Sequence, residues 1–152
     1  MQNWRWKHLF TVAVSVFLLH PVLAPVQAAG PADGLTGRWY TKGNEAIFEF
    51  YREGNSYCGR LLPLKRPDII DSLNPVDSLK SRKLAGITAI WGLRHNAEKQ
   101  CWEEGCIYNP SDGKTYRCTC RLLDGGKQLE FRGYLGIRAL GQMRRWTRVE
   151  EP

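Results

Sequence analysis

The feature that most restricts the fold of this chain is an alternation of apolar and polar side chains with a period of two. It is clearest over residues 115–122, and residues 128–135 repeat it. The apolar members of the first segment are Tyr116, Cys118, Cys120 and Leu122. Successive side chains of a β-strand point to opposite faces, so this pattern predicts strands with one buried and one solvated face.

The remaining segments extend the same prediction over most of the chain. Further strands are expected at residues 37–41, 46–51, 56–62, 87–93, 105–108 and 144–149. Turn-forming residues separate them at 42–44, 53–55, 109–113 and 124–126. No amphipathic helix of useful length and no internal repeat is found. The sequence therefore predicts an all-β fold, a small antiparallel barrel or sandwich of about eight strands, in which closure removes exposed edges.

Residues 1–28 have the composition of a cleaved signal peptide. Arg5 and Lys7 precede an apolar run over residues 9–19, and Val26 and Ala28 occupy the small-residue positions of a cleavage site. The run is too short and too interrupted for a membrane anchor. We expect one domain over residues 29–152, without a transmembrane segment, in the periplasm or secreted.

The chain carries a formal net charge of +7, of which Arg5 and Lys7 belong to the predicted leader. The remaining basic residues are scattered, whereas nucleic-acid-binding proteins gather them on one face. We therefore expect no nucleic-acid partner. The excess positive charge either only keeps the surface solvated or binds an anionic lipid or an envelope protein.

All five cysteines follow the predicted leader. An oxidising compartment permits disulfides, and a bond between Cys106 and Cys118 across a hairpin is the pairing we expect. The spacing of the cysteines lacks the paired motifs of structural zinc sites. No metal is predicted.

Other motifs give no evidence of catalysis. Residues 113–115 end like a phosphate-binding loop, but the first glycine of that motif and the helix are missing. His95 is the one histidine after the leader, and the acidic residues near Asn74 lack the glycine and glutamate of a calcium loop. No cofactor and no catalytic residue are predicted.

Residues 63–84 form a long connection between predicted strands, with a short helical turn at 75–79. This connection is either a lid over a binding site or a plain surface loop.

Tryptophans are numerous, and two of them lie on the first and last predicted strands. Trp39 belongs to the first strand, and Arg144, Arg145 and Trp146 belong to the last. This pattern looks like the calycin arrangement, in which a first-strand tryptophan packs against a basic side chain of the final strand and closes the barrel.

Taken in order, several motifs resemble an exported bacterial family, the domain of unknown function 2147. They are Gly37-x-Trp39, Asp71-x-x-Asn74-Pro75, Trp102, Gly105-x-Ile107-Tyr108-x-Pro110-x-x-Gly113-Lys114-x-Tyr116, Leu129-x-x-Arg132-Gly133-Tyr134-x-Gly136, Gly141 and Trp146-x-Arg148. The resemblance implies a lipocalin-like barrel in the bacterial envelope with no established activity. The chain departs from the family pattern at Asn109, where an aspartate is usual, and at Val76, which separates Asn74-Pro75 from Asp77.

The function we predict is binding of a small, mostly apolar ligand such as a lipid or fatty acid. Candidates for the cavity or barrel floor are Trp39, Tyr116, Phe131 and Trp146. Candidates for orienting a polar head at the mouth are Asp71, Asn74, Asp112, Lys114 and Tyr134. One alternative is a protein-interaction module whose barrel is filled by its own side chains. Another is an enzyme using Asp71, Asp112 and Tyr116, which would have to lie within hydrogen-bond reach of one another.

Overall fold

We describe the protein from a computed structural model covering residues 31–62 and 68–150. The predicted signal peptide, residues 1–28, lies outside these residues. Residues 63–67 of the long connection also lie outside them.

Eight antiparallel strands form a closed barrel in which each strand pairs with the next and the last pairs with the first. They are β1 (Gly37–Tyr40), β2 (Ile47–Glu53), β3 (Ser56–Leu62), β4 (Thr88–Asn96), β5 (Cys101–Asn109), β6 (Lys114–Leu123), β7 (Gln128–Tyr134) and β8 (Gln142–Arg148). The helical elements of the described residues are short 3-10 turns, one of them at Asp77–Leu79. The predicted all-β antiparallel barrel is confirmed.

The predicted strand bounds agree with the structure within two residues except at β4 and β5. β5 begins four residues earlier than predicted, at Cys101. Its register with β6 shifts between Trp102 and Gly105, and Glu104 has a φ of 66°. These are the marks of a β-bulge, which inserts an extra residue and breaks the alternation on which the prediction depends.

The up-and-down order of the strands gives the barrel two distinct ends. The connections β1–β2, β3–β4, β5–β6 and β7–β8 lie together at one end, called the open end below. The other connections and the 3-10 turn at Pro31–Leu35 lie at the opposite, closed end.

Side chains fill the closed half of the barrel. The largest of them, each no more than 2% exposed, are Trp39, Phe50, Ile90, Leu93 and Trp102. They belong to one continuous cluster that also includes the two inward thiols of β6, Cys118 and Cys120. The closed half of the barrel is therefore packed with the chain's own side chains.

Arg148 closes the barrel beneath Trp39. Its guanidinium lies 4.1 Å from the centre of the Trp39 ring, and it donates hydrogen bonds to the backbone carbonyls of Gly34, Thr36 and Gly126. The expected calycin-like contact is therefore present, but the basic side chain is Arg148. Arg144 and Arg145, named from the sequence, lie elsewhere because residues 144 and 145 are nearer the open end of β8.

The expected Cys106–Cys118 disulfide is wrong, since all five cysteines are free. Cys106 pairs in register with Arg117, whereas Cys118 pairs with Gly105. A difference of one position along a strand reverses the face to which a side chain points. The two sulfur atoms therefore lie on opposite sides of the sheet.

Among the described residues, no helix has the length and apolar composition needed to cross a bilayer.

Candidate ligand-binding pocket

A pocket of about 530 Å³ occupies the open end of the barrel, between β5, β6, β7 and β8. Its lining comes from the ends of these strands and from the β5–β6 and β7–β8 connections. The lining residues are Ile107, Asn109, Asp112, Tyr116, Phe131, Gly133, Tyr134, Leu135, Leu140, Gly141, Gln142, Arg144 and Trp146.

The floor of the pocket is a stack of aromatic rings. The rings of Phe131 and Trp146 are nearly parallel, with centroids 4.5 Å apart. Phe48 stacks near Trp146, at 5.0 Å, and continues the layer into the core. Both Phe131 and Trp146 are almost fully buried, so the floor separates the pocket from the filled half of the barrel.

The pocket is open above that floor at Gly133 of β7, which presents no side chain to it. Gly133 pairs with Cys118 on one side and Gln142 on the other, and a Cβ built on it would have Ile107 as its nearest neighbour at 4.0 Å. A larger residue here would point into the cavity. The space of the pocket therefore depends on this position of β7.

Arg144 places a positive charge at one side of the mouth. It shares the inward face of β8 with Trp146 and Gln142, and it donates a hydrogen bond of 2.8 Å to the Gln142 amide oxygen. No carboxylate of the described residues lies within 4 Å of its guanidinium. Its remaining donors are free to bind an anionic group.

Asp112 and Tyr116 form a second polar pair at the mouth. The Tyr116 hydroxyl donates to Asp112 Oδ2, and the backbone N–H of Lys114 donates to Asp112 Oδ1. The tyrosine hydrogen bond is the main reason that the pKa of Asp112 is lowered, and the same bond raises the pKa of Tyr116. The pair presents an ionised carboxylate whose hydrogen-bond partner is a neutral hydroxyl.

Asp71 and Asn74 belong to a different network, on the outside of the barrel. Asp71 is fully buried and accepts hydrogen bonds from the Tyr108 hydroxyl, the Asn74 amide and the Arg82 guanidinium. Burial by itself raises the pKa of Asp71, but these three partners together hold it below its ordinary value. The network fixes the β3–β4 connection against β5, since Tyr108 lies on that strand.

The structure brings together about half of the side chains named from the sequence. Asp112, Tyr116, Phe131, Tyr134 and Trp146 line the pocket.

The others lie away from the pocket lining. Trp39 lies in the closed half, Asp71 and Asn74 lie in the outer network, and Lys114 lies in the β5–β6 hairpin without lining the pocket. No described residue of the β3–β4 connection lines the pocket either, so a lid role for residues 63–84 stays a prediction.

Several lining residues were not identified from the sequence, among them Ile107, Gly133, Gln142 and Arg144. Gln142 and Arg144 could have been found from the alternation along β8, because they share one face of the strand with Trp146. The glycine could not, since an inward glycine contributes nothing to an apolar pattern.

The residues named for the enzyme alternative fall into two networks. Asp112 and Tyr116 are hydrogen-bonded to each other, whereas the hydrogen-bond donors of Asp71 are Tyr108, Asn74 and Arg82. Within residues 31–62 and 68–150, no three His, Cys, Asp or Glu side chains are grouped so as to hold a metal ion.

Comparison with known proteins establishes the family. Residues 37–148 match the model of the domain of unknown function 2147, described as an uncharacterized protein conserved in bacteria. The chain belongs to this family. The match runs from the first residue of β1 to the last of β8, so it covers the entire barrel of this DUF2147 protein. No curated protein matches the sequence.

The fold of this DUF2147 protein also resembles a solved structure. It is similar to protein HP1028 from the human pathogen Helicobacter pylori, which is described as belonging to the lipocalin family. The two share 25% sequence identity with a TM-score of 0.69, over 77% of this chain and 84% of the other. The barrel is therefore lipocalin-like, as the sequence motifs implied.

Proposed function

We propose that this protein binds a small, mostly apolar molecule with a polar head, such as a fatty acid, in the pocket at the open end. The observation that carries the proposal is the pocket itself. Its volume of about 530 Å³ is in the range of small-molecule sites, and its floor is aromatic. The side chains that fill the closed half of the barrel limit the depth of the pocket.

The apolar part of the ligand would lie on Phe131 and Trp146, with Ile107 and Leu135 at its sides. Removing apolar surface from water contributes about 25 cal/mol per Å², less the cost of immobilising the ligand. Affinity would come mainly from this contact. The aromatic floor is rigid, since its rings are stacked, and so adds little ordering cost.

The polar head would lie at the mouth between two unlike groups. Arg144 can donate a charge-assisted hydrogen bond to a carboxylate or phosphate oxygen. Asp112 and Tyr116, also in the lining, favour a neutral or donor group near them. A carboxylic acid could place its anionic oxygen against Arg144 and keep that charge away from Asp112.

The fold and the leader support the same proposal. Lipocalin-like barrels hold ligands in the mouth of the barrel, and this pocket occupies that place. An exported protein, periplasmic or secreted, would meet lipids of the envelope. The alternative of an interaction module is favoured by the filled closed half, but a fully filled barrel would have no pocket of this size.

The test is recovery of the ligand, followed by occlusion of the pocket. The purified protein is denatured, and released molecules are weighed by mass spectrometry. Delipidated protein is then titrated with a long-chain fatty acid by calorimetry. Gly133→Leu places a side chain in the pocket and is expected to lower affinity at least tenfold, while Gly133→Ala, which adds one methyl group, lowers it much less.

Protein that carries no released molecule and gives no heat with fatty acids would overturn the proposal. So would a Gly133→Leu variant that is folded by circular dichroism and binds as tightly as the natural protein. Loss of binding in that variant with binding intact in Gly133→Ala supports it.

A further inference from the structure

Exposed apolar side chains are concentrated at the open end of the barrel. Among the described residues, nine large apolar side chains are markedly exposed, and eight of them lie in or beside the β3–β4 and β7–β8 connections. They are Ile69, Ile70, Leu73, Val76, Leu135, Ile137, Leu140 and Met143. The ninth is Trp91, on β4. Single exposed apolar residues are ordinary, but a group at one end of a molecule marks a contact surface.

The β7–β8 connection carries the most exposed of them. Ile137, just before the short turn at Arg138–Leu140, is 65% exposed, and Leu140, at its end, is 80% exposed. Leu135 and Leu140 also line the pocket, so the apolar surface continues from the rim toward the aromatic floor. The rim surface is defined as residues 135–145.

The rim surface also carries a local excess of positive charge. The sequence has no acidic residue between Glu130 and Glu150, and this stretch contains five arginines. Three of them, Arg138, Arg144 and Arg145, belong to the rim surface, and none has a carboxylate within 4 Å among the described residues. Elsewhere among the described residues, basic side chains of the barrel such as Arg38, Arg60 and Arg94 form ion pairs with glutamates.

We infer that the rim surface docks on a bilayer containing anionic phospholipid. Aliphatic side chains next to unpaired arginines match a membrane interface, where apolar groups enter the acyl boundary and cations bind headgroup phosphates. A bilayer accepts such a surface without the shape complementarity that a protein partner requires.

Docking would turn the mouth of the pocket toward the membrane. An amphipathic molecule leaving the bilayer would then pass over Leu135 and Leu140 before it reaches the floor. This consequence depends on the proposed function, whereas docking itself does not require an occupied pocket.

The experiment is co-sedimentation of the protein with vesicles. One set contains phosphatidylethanolamine with phosphatidylglycerol, and the other contains phosphatidylcholine alone. We expect binding to the anionic vesicles at least tenfold stronger than to the neutral ones, and weaker in high salt. Equal binding to the two sets, or no binding to anionic vesicles at low salt, would overturn the inference.

Two variants test the rim surface without touching the pocket lining. Ile137→Asp and Arg138→Glu are each expected to lower anionic-vesicle binding roughly tenfold, since both put a negative charge at the interface. Arg94→Glu makes the same charge change as Arg138→Glu, at an exposed site on β4, and should change binding much less. Equal losses in Arg94→Glu and Arg138→Glu would show an effect of net charge only and contradict the assignment.

The calorimetric titration with fatty acid separates this inference from the proposed function. Ile137→Asp and Arg138→Glu should retain affinity in solution, because neither residue lines the pocket. Vesicle binding without fatty-acid binding would leave docking standing and remove the proposed ligand. Capture of an acidic protein by the rim surface, with no binding to vesicles, would contradict the lipid assignment.

Discussion

Asp71 shows what a single buried carboxylate does in this barrel. It lies in a connection with little regular structure, yet it is fully buried and has three side-chain partners. One partner, Tyr108, is on β5, and another, Arg82, lies eleven residues further along the same connection. A buried charge is tolerated only when it is hydrogen-bonded in this way, and the bonds tie the connection to the sheet.

We expect Asp71→Asn to lower the free energy of unfolding by about 2 kcal/mol near neutral pH, because charge-assisted hydrogen bonds are lost. The pKa of Asp71 in the folded protein lies below the unfolded value of about 3.9. Its contribution is therefore complete above about pH 4 and is lost as the pH falls through the folded pKa. Urea unfolding at several pH values measures this difference.

The control for that series is Asp77→Asn. Asp77 lies in the same connection, but its side chain is 92% exposed and forms an ion pair with Lys80 at the surface. We expect a change below about 0.5 kcal/mol, as for most exposed ion pairs. A stability difference between Asp71→Asn and the natural protein that did not shrink on acidification would contradict the role assigned to the charge.

At the scale of elements, the β5–β6 hairpin and the β3–β4 connection fit together through Gly113. This glycine has a φ of 68°, and a Cβ built on it would lie 2.0 Å from the carbonyl oxygen of Leu73. The close approach holds the connection beside the hairpin whose turn residue Asp112 lines the pocket. The left-handed backbone of the turn and the close contact with Leu73 therefore both require glycine at position 113.

We expect Gly113→Ala to loosen the β3–β4 connection. A left-handed residue other than glycine costs about 1 kcal/mol, and the contact with Leu73 adds to this. Gly125→Ala is the matched control, since Gly125 has a φ of 61° and nothing within 4 Å of its added Cβ. Limited trypsin digestion should cut at Lys80, Arg82 or Lys83 faster in Gly113→Ala alone. Equal rates in the two variants would show that the contact with Leu73 does not hold the connection.

At the scale of the whole molecule, closure of the barrel decides which thiols meet solvent. Cys58, Cys101, Cys118 and Cys120 are no more than 3% exposed, whereas Cys106 is partly exposed. Burial raises the pKa of the Cys118 and Cys120 thiols, so neither forms the reactive thiolate readily. The reactivity of these groups therefore reports on the integrity of the barrel.

We expect a thiol-specific reagent to label Cys106 first at mildly alkaline pH, and the four buried cysteines only at the rate of unfolding. Mass spectrometry after labelling, with and without denaturant, identifies the sites. A pair of cysteines protected even in denaturant and released only by a reductant would reveal a disulfide and contradict the free thiols of the structure.

Local sequence patterns were sufficient to predict the all-β class of the fold and most of its strands. Alternation over residues 115–122 and 128–135 is a local property of the chain, since it records which face of a strand is buried. The turn residues are equally local. Trp39, Phe131 and Trp146 were recognisable as interior side chains for the same reason.

Tertiary structure alone decided the register and hence the site. The register of the β5–β6 hairpin puts Cys106 and Cys118 on opposite faces, and closure puts Arg148 rather than Arg144 beneath Trp39. Gly133 opens the pocket only because the closed barrel turns this position of β7 toward the interior, near Ile107 of β5. These cross-strand contacts join residues that are distant in sequence. No local sequence pattern records them, so they are defined only in the folded barrel.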